Sequence, residues 1–220
     1  MVDRNLLRVK ERIASAVRRA GRDPNTVKLV VVTKEADEDG LRAAIECGET
    51  DFGENRVADA KDKIRTFGSE ALKWHMIGHL QSNKARSAVK IFSLIHSLDS
   101  IRLAQILGNE AKKRSKRQEV LVEVNVSGEK SKFGIGPDEL AHFLEVAGKF
   151  ENINIKGLMT MAPLGKDPEE ARPHFRRLRE LRDKFGLKEL SMGMTEDFEV
   201  AVEEGATMVR VGSAIFKNSV

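Results

Sequence analysis

Lys28-Leu29-Val30-Val31-Val32-Thr33-Lys34 is the run from which the fold is read. Its four consecutive apolar residues, three of them β-branched, describe a strand buried on both faces. Strands of that kind belong to parallel sheets covered by helices. Lys34 stands at the carboxyl end, where open α/β sheets and β/α barrels both place their chemistry. An amine held there, partly desolvated, has a lowered pKa and attacks a carbonyl as a nucleophile. The commoner fate of a lysine is exposure, here as the first residue of a loop. The surrounding chain has to decide between the two.

Upstream, Leu6, Val9, Ile13, Ala16, Val17 and Ala20 recur at helical spacing and predict an N-terminal helix over 3–20. Gly21 ends it and Asp23-Pro24-Asn25 makes a turn. Downstream, Asp37 caps a helix that carries Leu41, Ala44, Ile45 and Cys47 on its apolar side and stops at Gly48. The pattern then recurs. Strands are predicted over 51–54, 73–78, 91–97, 119–126, 153–160, 189–192 and 207–211. Between them fall helices over 56–67, from Ser82, and over 101–113, 137–149, 169–185 and 196–204. Such alternation predicts parallel strands with right-handed crossovers. Eight units close into a single (β/α)8 barrel of the TIM type, class α/β, here with an extra N-terminal helix. An open doubly wound sheet is the alternative. No linker or composition shift marks a second domain, so 1–220 reads as one domain with the barrel over 28–216.

Composition narrows the function classes. The chain has 220 residues, 40% hydrophobic and 33% charged, which describes a globular protein. The net charge of +4 arises from 38 basic residues interleaved with 34 acidic ones, and aromatics make up only 5%. A nucleic-acid binder would cluster its basic residues with aromatics, so no nucleic-acid partner is expected. The run Lys112-Lys113-Arg114-Ser115-Lys116-Arg117 closes a predicted helix, where cations complement the helix dipole. A single cysteine, Cys47, excludes an internal disulfide and is expected in the core. No segment approaches the roughly 18 continuous apolar residues of a membrane span. The first residues lack a signal-peptide pattern, so the chain reads as cytoplasmic.

In a barrel, chemistry comes from the carboxyl ends of several strands. Those ends carry Lys34, Glu54 and Asn55, Met159 and Thr160, Gly193 to Thr195, and Arg210, Gly212 and Ser213, with His75 and Asn125 inside their strands. The last two loops resemble a phosphate cradle, which barrels often build after strands seven and eight. Gly212 permits close backbone approach and Ser213 adds a hydroxyl. Thr195 is expected to cap the helix over 196–204, whose free N–H groups favour an anion. A lysine beside a phosphate cradle suits a sugar-phosphate aldolase or pyridoxal phosphate (PLP) held as a Schiff base. Arg210 favours PLP, because a guanidinium beside the pyridine nitrogen keeps that nitrogen unprotonated. The bland role for Arg210 is an ion pair with a barrel carboxylate such as Glu123. His75 and His79 are four apart. Along a strand that spacing is about 13 Å, too far for one metal ion, so no metal is expected.

Seven stretches together resemble the YggS/PROSC-type PLP-binding proteins, also called PLP homeostasis proteins. They are Val31-Val32-Thr33-Lys34, Phe52-Gly53-Glu54-Asn55-Arg56-Val57, and the segments 74–84, 124–135 and 157–161. The last two are Leu190-Ser191-Met192-Gly193-Met194-Thr195-Glu196-Asp197 and Met208-Val209-Arg210-Val211-Gly212-Ser213-Ala214-Ile215-Phe216. The resemblance implies a barrel similar to the N-terminal domain of alanine racemase. It implies that Lys34 carries PLP and that Arg210 faces the pyridine nitrogen. Thr195, Gly212 and Ser213 match phosphate-binding positions, and Asn55 matches a residue lining the pocket. Three positions depart from the family pattern. Thr195 replaces a usual serine, Glu35-Ala36-Asp37 brings negative charge beside the lysine, and Lys217 replaces a frequent glycine.

The resemblance implies a PLP homeostasis protein that holds the cofactor without substrate turnover, with apo PLP enzymes as recipients and no assigned catalytic residue. The alternative is an amino-acid racemase. In alanine racemase a tyrosine from a C-terminal domain that also builds the dimer is the second acid/base group. This chain has no tyrosine and ends directly after its last predicted strand, so a monomer is expected.

Overall fold

The computed structural model describes residues 1–129, 131–163 and 165–217. Lys130, within one of the resembling segments, and residues 218–220 of the expected domain lie outside the described residues. Eight parallel strands close a barrel in chain order. They are β1 (Lys28–Val32), β2 (Asp51–Glu54), β3 (Lys73–Met76), β4 (Leu94–Leu98), β5 (Gln118–Glu123), β6 (Ile153–Met159), β7 (Glu189–Ser191) and β8 (Met208–Val211). The last strand pairs with the first, Lys28 opposite Met208 and Val31 opposite Val211, so no sheet edge is left open. Around the barrel run α2 (Glu38–Glu46), α3 (Val57–Phe67), α4 (Ala85–Ile91), α5 (Ile101–Lys112), α6 (Leu140–Ala147), α7 (Arg172–Lys184) and α8 (Phe198–Glu203). A short α9 (Ser213–Phe216) follows β8, and α1 (Val2–Arg19) precedes the barrel. The fold is the expected (β/α)8 barrel with its additional N-terminal helix.

The alternation of side chains along each strand splits the apolar residues into two groups. Outward residues such as Val31, Phe52, Trp74, Ile95, Val122 and Val211 join the helices in one large core. Inside the barrel only Val30, Leu94, Leu121, Met159 and Met208 cluster, with Met161 against them. The interior also carries a set of polar residues, with Asp51, His75, His96, Ser191 and Arg210 all buried. The extra helix α1 packs on α2, α8 and α9. There Asn5, buried, donates to the Ile215 carbonyl at 3.0 Å, and Arg22 donates to the Val202 and Ala206 carbonyls at 2.6 and 2.8 Å.

Several sequence expectations are corrected. The fourth strand starts at Leu94 rather than Ile91, because Ala85, Ala88, Val89 and Phe92 are buried at helical spacing and carry α4 through Ile91. Asn125 lies beyond the end of β5, not within it. Its side chain folds the following loop, accepting from Gly128 N–H at 3.0 Å and donating to the Glu129 carbonyl at 2.9 Å. The helix expected over 137–149 begins at Leu140, after a turn in which Glu139 accepts from Gly136 N–H at 3.0 Å. Cys47 is exposed rather than buried, because α2 ends at Glu46 and its buried side consists of Gly40, Leu41 and Ala44. Asp37 does cap α2, accepting from Gly40 N–H at 2.8 Å.

Candidate functional site

The strands' carboxyl ends enclose a cleft of about 460 Å³. Lys34, Asn55, Thr195, Arg210, Gly212 and Ser213 all line it, so the six residues expected to bind the cofactor come to one place. His75 does not reach the cleft and lies buried inside the barrel.

Lys34 shares the inward parity of Val30 and Val32. The peptide before it is anchored by buried groups. Thr33 Oγ1 donates to Glu54 Oε1 at 2.5 Å, and Lys63 Nζ donates to the same oxygen at 2.5 Å and to the Thr33 carbonyl. Glu54 is fully buried, and its Oε2 has no partner among the described residues. The Lys34 side chain itself is 50% exposed, with Nζ 3.7 Å from Glu35, so the expected desolvation of this amine is not found. Glu35 also meets Lys217 at 3.0 Å. That contact, with Lys34 as a lesser contributor, holds the Glu35 carboxyl below its ordinary pKa. Two departures from the family pattern, Glu35 and Lys217, thus form one charged bridge at the mouth of the cleft.

Arg210 forms the inner wall, only 4% exposed. Its Nη1 donates to Ser191 Oγ at 2.5 Å and its Nη2 to the Thr160 carbonyl at 3.0 Å. These bonds, not an ion pair with Glu123, hold the guanidinium. Burial lowers its pKa to about 10, while the charges of Asp197 and Glu123 oppose that shift. Glu123 is raised to about 7, first by burial and then by Asp99, with Arg210 opposing. One of its oxygens, Oε2, has no hydrogen-bond partner among the described residues.

The two loops of the expected cradle are joined directly, Ser213 Oγ donating to Thr195 Oγ1 at 2.9 Å. A side chain at Gly212 would place its Cβ 2.7 Å from the Val32 carbonyl oxygen, so this position needs glycine for close approach to β1. Gly193 adopts φ +91°, which opens the turn before Thr195. Thr195 does not cap α8 as expected. The helix begins two turn residues later at Phe198, and Asp197 takes the turn's first N–H, from Met194, at 2.6 Å. This leaves the Thr195 hydroxyl free to meet Ser213. Sequence reasoning missed Ser191, which accepts from Arg210, and His96 behind it; Thr160, named at its strand end, meets Arg210 through its carbonyl. The available signal was strand parity, which sends Ser191 and His96 inward.

Comparison with known proteins follows this geometry. The family model described as "Alanine racemase, N-terminal domain" matches residues 5–220. The pyridoxal phosphate homeostasis protein of Aquifex aeolicus is 44% identical over 217 residues, covering 96% of this chain and 95% of that protein. The chain belongs to the pyridoxal phosphate homeostasis protein family. Among solved structures, a protein from Bifidobacterium adolescentis superposes with a TM-score of 0.89 at 36% identity, covering 98% of this chain and 94% of that one. PipY of Synechococcus elongatus, solved with PLP bound, superposes with a TM-score of 0.81 at 36% identity, covering 94% of this chain and 99% of that one. Family membership accounts for the seven resembling stretches, which contribute all six residues of the cleft named above.

Proposed function

We propose that this protein binds PLP in the cleft at the carboxyl ends of the strands and serves in PLP homeostasis. The observation that carries the reading is the shared cleft, with an amine at its mouth, a guanidinium on its inner wall and the joined Thr195–Ser213 hydroxyls beside Gly212. Its volume lies within the range of about 300–1,000 Å³ usual for small-molecule sites. When bound, PLP supplies an aldehyde that an amine captures covalently and an electron-withdrawing ring. Lys34 would be the residue that holds the cofactor covalently. Its half-exposed position and the anchored Thr33 peptide leave the side chain free to swing while its base stays fixed. Arg210, a donor that stays protonated, would meet the ring of the cofactor from the inner wall and withhold a proton from its nitrogen. Thr195, Ser213 and the backbone at Gly212 hold the phosphate, and Asn55 lines the remaining wall.

The protein acts as a carrier that delivers PLP to apo PLP enzymes without turning over a substrate, as a monomer in the cytoplasm. Among the described residues no helix is long and apolar enough to cross a membrane. The racemase reading lacks support at the site, since the sequence contains no tyrosine for the second acid/base role.

The test is the visible spectrum of the purified protein with added PLP, before and after borohydride reduction, in wild type and Lys34→Ala. The expected result is a visible band that borohydride removes, a pyridoxyl adduct on the Lys34 peptide by mass spectrometry, and loss of both in the variant. An unchanged band in Lys34→Ala, or no band in wild type, overturns the assignment.

A further inference from the structure

A continuous chain of buried polar groups crosses the barrel from the cleft to its opposite face. Arg210 on β8 donates to Ser191 on β7 at 2.5 Å. Ser191 Oγ lies 2.8 Å from His96 Nδ1 on β4. His96 Nε2 lies 2.9 Å from His75 Nδ1 on β3. His75 Nε2 lies 3.0 Å from Asp51 Oδ1 on β2, and Lys28 of β1 meets that same oxygen at 3.1 Å. Ser191 and His96 are fully buried, and His75, Arg210 and Asp51 are 2%, 4% and 8% exposed. Asp51 and Lys28 line a second cleft of about 330 Å³ at the amino ends of the strands. The chain therefore joins both faces of the barrel through its interior.

Its direction follows from valence. Arginine is a donor only and the ionised Asp51 an acceptor only, so Ser191 Oγ accepts from Arg210 and His75 Nε2 donates to Asp51; with both rings neutral, His75 Nδ1 then accepts from His96 and His96 Nδ1 accepts the Ser191 proton. A neutral imidazole has one donor and one acceptor nitrogen. With Nδ1 accepting, His96 carries its proton on Nε2 and donates to His75 Nδ1. His75 then carries its proton on Nε2 and donates to Asp51. Every group is satisfied, with all donors pointing from Arg210 toward Asp51. The surroundings agree. Burial, before any neighbouring charge, pulls the His96 pKa well below its ordinary value and keeps the ring neutral. Burial alone would raise the Asp51 pKa, but the bonds from His75 and Lys28 outweigh it and hold the carboxylate ionised.

We propose that His96 and His75 are positioning residues. With Ser191 and Asp51 they form a one-way donor chain that fixes the Arg210 guanidinium in its orientation toward the cleft. Neither histidine lines the cleft. The effect on PLP rests on the function proposed above, whereas the direction of the chain does not.

Two measurements separate these layers. Long-range ¹H–¹⁵N correlation spectra of the ligand-free wild type report the tautomers at neutral pH. Both His96 and His75 are expected as neutral Nε2–H forms. A charged His96, or a proton on its Nδ1, overturns the chain whatever PLP does. Next, PLP affinity and the position of the bound band are compared in wild type, Ser191→Ala and Ser191→Thr, with thermal unfolding verifying the fold. Ser191→Ala is expected to shift the band and weaken binding by on the order of tenfold, the scale of one charge-assisted hydrogen bond. Ser191→Thr keeps the hydroxyl and is expected to restore both. A spectrum and affinity unchanged in a folded Ser191→Ala refute the positioning role while leaving PLP binding intact. Failure of wild type to bind PLP refutes the function instead, and the tautomer spectra still decide the chain.

Discussion

Glu123→Gln should make the protein's stability less dependent on pH, in a direction fixed by burial. The Glu123 carboxyl is 3% exposed, and burial followed by Asp99 raises its pKa from 4.5 to about 7. Below the unfolded value both states hold the proton, and above the folded value both release it. Between the two, the unfolded chain has released its proton while the folded chain keeps it. Stability therefore falls as pH rises through this window, because the folded state binds more protons. At about 1.4 kcal/mol per pKa unit, the shift costs the wild type about 3 kcal/mol above the window. Glutamine does not titrate. From about pH 5 to about pH 8 the variant should gain about 2–3 kcal/mol relative to wild type. The amide's own fit to the site changes its stability at both pH values alike, so the difference between the two differences isolates the titration. Urea unfolding curves of both proteins at each pH measure it. Parallel stability–pH profiles for the two proteins would refute the reasoning and show Glu123 to be ionised as an ordinary surface carboxylate is.

Two more substitutions test the parts that position Lys34 and the cradle. Lys63→Met leaves Glu54, fully buried, without its cation, and should lower stability by about 3–5 kcal/mol. A loss below about 1 kcal/mol in urea unfolding would place the pair among exposed ion pairs instead. Gly212→Ala forces a methyl group to within 2.7 Å of the Val32 carbonyl. It should lower stability by about 1–3 kcal/mol and weaken PLP binding, because relief of the clash moves Ser213. Thermal unfolding and a PLP titration check both effects, and unchanged binding would remove the 212–213 backbone from the cradle.

The barrel was legible because its signals are local and repeated. Runs such as Leu29 to Val32 show burial on both faces in the sequence itself, and strand ends in a β/α barrel converge by topology alone. That is why Lys34, Asn55, Thr195, Arg210, Gly212 and Ser213, spread over some 180 residues, meet in one cleft. What failed depended on tertiary context. Cys47 has helical spacing with Leu41 and Ala44, but the helix stops one residue short of it. Thr195 precedes a run with helical character, yet residues 195–197 form a turn in which Asp197 accepts from the Met194 N–H, and the helix starts only at Phe198. The exposure of the Lys34 amine depends on how far the rim rises above β1, which no local pattern encodes. The connection behind Arg210 was hidden for another reason. Ser191, His96 and His75 lie 95 and 21 residues apart along the chain, and only barrel closure brings them into contact.

The polar interior explains how the molecule divides its work. β/α barrels of this size usually fill their centres with layers of branched apolar side chains. Here the apolar cluster among the described residues is small, Val30, Leu94, Leu121, Met159 and Met208, and a hydrogen-bonded chain runs beside it. Such a chain adds little net stability, because each bond replaces one to water at a gain of only about 1 kcal/mol. Breaking it is more costly, since an unpaired buried group loses about 1–3 kcal/mol. Stability therefore resides in the large core between strands and helices, where Trp74, Phe175 and Phe198 are wholly enclosed. With the fold secured outside the barrel, the interior can be spent on orientation. Arg210 reaches the cleft backed by buried, hydrogen-bonded side chains, so its geometry is set by residues that do not line the cleft.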